Sequence, residues 1–193
     1  MKHKIDTDKI HPVRHRGLYD WLQSFVGILL PIILLLTFVG HTIEVRGNSM
    51  MPTFLDSEQV IVRSIFYTPR RGDVIVFSRY DILDGANLVK RVIALAGDVV
   101  DINTVTGVVY VNGVALDEPY TEEPTNQAGN VSFPYTVPHG HIFVLGDNRS
   151  RNGSLDSRHT ELGSVDEREI FGHIVAVVLP LDQARLISRR GIQ

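Results

Sequence analysis

From Trp21 to Gly40 the chain runs for 20 residues without an Asp, Glu, Lys or Arg. As a helix rising ~1.5 Å per residue, such a run reaches about 30 Å, the thickness of a bilayer's hydrocarbon core. No polar face interrupts it, which argues against a helix packed on a water-soluble core. Pro31 is expected to kink the helix, a defect that membrane segments tolerate. Lys2, Lys4, Lys9, Arg14 and Arg16 precede the run, against Asp6, Asp8 and Asp20; the next basic residues after it are Arg46 and Arg63. That bias places the N-terminus in the cytoplasm and the remainder outside. A cleavable secretory leader would have a shorter apolar stretch, about 7–15 residues, closing on small residues; this one runs into Gly40-His41-Thr42-Ile43-Glu44. The expected division is a basic segment 1–20, a transmembrane helix 21–42, a globular domain 43–180 and a tail 181–193.

Of the 193 residues, those left after the helix are enough for one domain with a genuine core. The net charge of −3 and a pI near 6.2 give no reason to expect nucleic acid as a partner. With no cysteine in the chain, thiol catalysis, disulfides and cysteine-ligated zinc are excluded. Beyond residue 43 the texture is β: runs at 59–63, 73–77, 88–95, 99–102, 108–111, 142–145 and 174–179 read as strands. Asn112-Gly113 between two apolar runs predicts a two-residue hairpin, because both residues tolerate positive φ. Val165–Ile170 is expected to form one helical turn. The Pro-, Glu- and Asn-rich stretch 117–139 reads as an excursion from the sheet. Arg185, Arg189 and Arg190 in the tail suit a solvated end or contact with anionic head groups.

Three clusters carry the chemistry. Ser49, in Ser49-Met50-Met51-Pro52-Thr53, follows closely on the apolar run, and a serine hydroxyl is a poor nucleophile until a base takes its proton. Lys90 can serve only when neutral, which means lowering a reference pKa of about 10.4 by some two units through desolvation or a positive neighbour. The stretch Asn87–Leu95 is apolar apart from its centre, and strand alternation sends Lys90 to the face opposite Val89 and Arg91. An ordinary strand lysine would look the same. The third cluster, Gly146-Asp147-Asn148-Arg149 through Ser154-Leu155-Asp156-Ser157-Arg158, is a polar loop launched from an apolar strand, a natural place for catalytic support or simply for local hydrogen bonds.

In this order, with Arg71-Gly72-Asp73-Val74 and Gly97-Asp98, these motifs resemble those of bacterial type I signal peptidases from Trp21 to about Leu179. The resemblance implies an antiparallel β-sheet catalytic domain of the signal-peptidase type, so the fold class is mainly β behind a single transmembrane helix. It implies a serine endopeptidase of the bacterial plasma membrane that removes signal peptides from secretory preproteins, with Ser49 as acylating nucleophile and Lys90 as general base. Ser154 would orient the lysine; Arg91 would pair with Asp147 and Asp156 with Arg158. Met50, Phe54, Leu88 and Val89 would line the pocket for the substrate residue before the scissile bond, unless they are only core. The family commonly has two residues between the last-motif arginine and the lysine-orienting serine; here Ser150 to Gly153 make four, so Ser150 stays open beside Ser154. Some members also carry a serine where this chain has Gly47.

No metal or organic cofactor is expected: no His-Glu-x-x-His pattern occurs among the eight histidines. A Ser-His-Asp triad using His159 would leave Lys90 without a role. Two other readings remain: a non-catalytic membrane-anchored assembly factor, and a self-cleaving serine–lysine autoprotease.

Overall fold

The computed structural model describes residues 16–39, 41–79, 82 and 85–188. Lys2, Lys4, Lys9 and Arg14 of the basic segment, and Arg189 and Arg190 of the tail, lie outside the described residues. The chain divides into two compact units, Met1–Phe38 and Val39–Gln193.

The first unit contributes helix α1, Arg16–Val39, 24 residues with Pro31 inside. The helix expected at the apolar run is therefore present, but among the described residues no helix is long and apolar enough to cross a membrane.

In the second unit, among the described residues, twelve strands form two antiparallel sheets. The larger contains β1 (His41–Glu44), β2 (Gln59–Arg63), β3 (Val74–Ser78), β4 (Asn87–Ala94), β9 (His141–Leu145), β10 (Val165–Asp166), β11 (Ile170–Leu179) and β12 (Arg185–Leu186). Its order is β1-β2-β11-β3-β4-β9-β10, with β12 paired to β11. The smaller sheet is β7-β6-β5-β8, from β5 (Val99–Asn103), β6 (Val108–Val111), β7 (Val114–Ala115) and β8 (Tyr135–Thr136). Asn112 (φ 53°) and Gly113 (φ 78°) close the β6–β7 hairpin with both residues at positive φ, the two-residue turn matched to the twist of its strands.

The helical turn expected over Val165–Ile170 is a 3₁₀ turn confined to Glu167–Glu169, after β10 takes the first two residues. The Asp166 side chain accepts from the Arg168 N–H, capping a turn too short to compete with the sheet on either side.

Strand β4 is the wall between cores. Val89 packs with Val45, Met50, Phe54 and Val76; Val92 with Ile75, Phe77 and Val144; Ile93 with Val100, Val109 and Phe143 against the small sheet. With apolar groups on both faces, β4 is buried from Val89 to Ala94 rather than alternating. Lys90 and Arg91 lie inside that stretch, each 2% exposed.

Candidate active site

Ser49 sits in the turn that follows β1. Gly47 enters it at φ +83°, a conformation that side chains disfavour, and its N–H donates to Asp56 Oδ1 at 2.6 Å. Beyond Ser49 the chain folds back on itself, Met51 N–H donating to Asn48 O at 3.1 Å and Phe54 N–H to Met50 O at 2.9 Å. Register within the large sheet brings Lys90, paired across from Ile75, under this turn. Lys90 Nζ donates to Ser49 Oγ at 2.8 Å and to the Val89 carbonyl at 2.9 Å. Burial pushes the Lys90 amine down from 10.5 to about 8, against the fields of Asp156 and Asp147, which act to raise it.

The two second-layer ion pairs expected from sequence are both present as contacts. Arg91 forks onto Asp147 at 2.8 and 2.6 Å, both side chains almost wholly buried, and its third nitrogen donates to Gly72 O at 3.0 Å. The Tyr120 ring covers the guanidinium with its centroid 4.0 Å away. Arg158 forks onto Asp156 at 2.8 and 2.9 Å, and the Gly146 N–H adds a third bond at 3.0 Å. Burial alone would raise the Asp156 carboxyl, but these donors and the Arg158 charge outweigh it and hold the carboxyl below the usual carboxylate range.

The two candidate serines separate. Ser150 is half-buried and gives its hydroxyl to Asn148 Oδ1. Ser154 is 5% exposed and close enough to Asp156 to help keep that carboxylate charged, although no well-formed hydrogen bond ends on its hydroxyl among the described residues. It lies against Gly146: a Cβ added there would come within 2.2 Å of Ser154 Oγ and 2.5 Å of the Ser49 carbonyl oxygen. Gly146 thus lets the two serine-bearing segments meet.

A groove of about 500 Å³ opens beside the pair, walled by 43–46 on one side and 86–90 on the other, with Ser49 and Met50 at its base. Met50, Leu88 and Val89 are among its lining residues. Phe54 is not: it is completely buried in the core beneath β2 and β3, because the turn after Ser49 points that ring inward. His159 stays outside the pair, 3.9 Å from Asp156.

Sequence reasoning gave no role to several residues that hold the site. Asn148 donates its N–H to Ser49 O and its side-chain amide to Asn48 O, both at 3.1 Å; its place in the Gly146–Arg149 motif was the available signal. Thr53 gives its hydroxyl to Asp147. The excursion 117–139 packs on the loop that leaves β9, with Glu118 gripping the buried Arg149. These contacts join segments about 30 to 100 residues apart, and no local pattern announces them.

The fold and site define a mainly β hydrolase-like domain with a serine–lysine contact at the foot of a groove. A family model described as signal peptidase, peptidase S26, matches residues 18–179, and the chain belongs to that family of peptidases. It is 32% identical to signal peptidase I of Bacillus licheniformis over 93% of this chain and 98% of that one. It is also 32% identical to signal peptidase I S of Bacillus subtilis (89% and 95%), and 35% identical to a probable signal peptidase I-1 of Synechocystis (77% and 76%). A solved signal peptidase I from Enterococcus faecalis is 33% identical, matching 55% of this chain and 97% of that one with a TM-score of 0.45.

Proposed function

We propose that this chain is a serine endopeptidase that removes N-terminal signal peptides from secretory preproteins, with Ser49 as nucleophile and Lys90 as general base. The observation that carries the reading is the 2.8 Å contact from Lys90 Nζ to Ser49 Oγ, made by an amine lowered to about 8. Neutral Lys90 takes the Ser49 proton as Oγ attacks the scissile carbonyl. The lysinium then protonates the departing amine, leaving an acyl-enzyme on Ser49. A water molecule, deprotonated by the same amine, releases the acyl group and restores the hydroxyl.

The oxyanion falls to the Ser49 N–H, since the Gly47 N–H is committed to Asp56. The groove suits an extended peptide lying between 43–46 and 86–90, its small residues facing Met50, Leu88 and Val89. Of the two serines, Ser154 is the one to orient Lys90: Ser150 is spent on Asn148, whereas the Ser154 hydroxyl is buried against Gly146. The uncharged run Trp21–Gly40 supports attachment to the plasma membrane with the catalytic unit outside.

Preprotein processing by the purified full chain tests the reading. Ser49→Ala, Lys90→Ala and Lys90→Arg should each lose at least about 10³-fold in turnover with folding intact. Full activity of Lys90→Ala would remove the base, self-cleavage alone would indicate an autoprotease, and no cleavage by wild type an assembly factor.

A further inference from the structure

Residues 180–188, just past the end of the family match at 179, are not a loose solvated end. After a 3₁₀ turn at Leu181–Gln183, β12 pairs with Ala176 and Val177 of β11, past the last residue that β3 pairs there, and the Ile187 N–H donates to Val175 O. This docking delivers Arg185 to the turn that carries Ser49. One terminal nitrogen donates to Glu58 Oε1 at 2.7 Å; the other bridges Glu58 Oε2 at 2.9 Å and the Thr53 carbonyl at 2.6 Å. The guanidinium carbon lies 5.9 Å from the centre of the Phe54 ring.

We propose that Arg185 is a positioning residue for the Ser49–Lys90 pair; the idea rests on the peptidase reading above. The Glu58 side chain is 1% exposed, and its carboxylate takes Arg185 and the Leu55 N–H as partners. Without Arg185 the buried Glu58 charge is stranded, which costs stability, and separately the Thr53 carbonyl loses the donor that fixes the far end of the 53–58 turn. That turn is continuous with the nucleophile: Thr53 bonds Asp147, Phe54 bonds Met50, and Met51 bonds Asn48. Asn148 holds the Ser49 end of the segment, and Arg185 holds its far end. A displacement at Thr53 therefore shifts Ser49 Oγ relative to an amine that β4 keeps in place.

The experiment uses the full chain with a preprotein substrate and four proteins: wild type, Arg185→Ala, Arg185→Lys and Glu58→Gln/Arg185→Ala. Arg185→Ala should lose about 10- to 100-fold in kcat with KM within about twofold, the signature of misplaced reacting groups. Arg185→Lys, which reaches Glu58 without forking to Thr53, should fall between. The double variant removes the stranded charge, so its melting midpoint should recover while kcat stays low. A wild-type kcat in Arg185→Ala, or recovery of kcat along with stability in the double variant, overturns the proposal. Amide exchange supplies a readout independent of turnover: Met51 and Phe54 should exchange at least about tenfold faster in Arg185→Ala, with Val92 of β4 unchanged. Unchanged exchange at Met51 and Phe54 also overturns it. Should wild type itself cleave no preprotein, the peptidase reading falls and exchange alone decides the role of Arg185.

Discussion

A lysine amine taken out of water loses hydration that two nearby carboxylates only partly replace, and Lys90 carries that cost whenever it is charged. Its folded value of about 8 lies below the ordinary 10.5, so between those values the unfolded chain binds the proton more tightly and stability rises with pH. Below pH 8 the full penalty of about 3 kcal/mol is present. Lys90→Met should therefore be inactive yet more stable than wild type at pH 7, by up to about 3 kcal/mol in urea melts, with the gain vanishing above pH 10.5. Turnover should follow the same group with the opposite use. Only about a tenth of the amine is neutral at pH 7, so kcat/KM should climb close to tenfold per pH unit and level off above about 8. A flat profile from pH 6 to 9 would exclude Lys90 as the base.

At the level of elements, the loop leaving β9 is where packing and chemistry are hardest to separate. Gly146 donates its N–H to Asp156 and its carbonyl accepts from Arg149 Nε at 2.8 Å, while its missing Cβ leaves the gap that Ser154 and Ser49 O occupy. Gly146→Ala forces one of those segments away. It should destabilise by roughly 1–3 kcal/mol in thermal melts, the usual range for overpacking, and lower kcat beyond what the lost folded fraction explains. A variant with wild-type kcat would mean that the Ser49 and Ser154 segments adjust freely. The same loop shows what pattern reading can and cannot reach. Strands such as β2 and β6 were legible to the residue, because an apolar run bounded by turn residues is a local property. Strands β1, β8, β10 and β12 were not: no apolar run bounded by turn residues marks them, and each forms along the edge of a longer neighbour.

For the molecule as a whole, the helical unit 1–38 and the β unit 39–193 are separately compact, which lets tethering and chemistry be tested apart. Residues 39–193 alone should keep the melting midpoint and cleave a soluble peptide within about twofold of the full chain. On the proposed membrane attachment, processing of a preprotein inserted in vesicles should fall by about 10²-fold, since confinement to one surface would no longer raise the effective concentration. Equal rates on vesicles would show that the helix contributes no tether. The sequence by itself determined the β texture, the hairpin at Asn112-Gly113 and the order of the motifs, because each rests on residue type and short-range spacing; Ser49 and Lys90 were singled out by the resemblance those motifs carry. Only the tertiary structure decided that Phe54 is core, that Ser154 rather than Ser150 lies buried against Gly146, that the excursion grips Arg149 and that the tail grips the 53–58 turn. Those outcomes depend on buried charges finding partners far along the chain, and such pairings are chosen by the packed whole rather than by any local stretch.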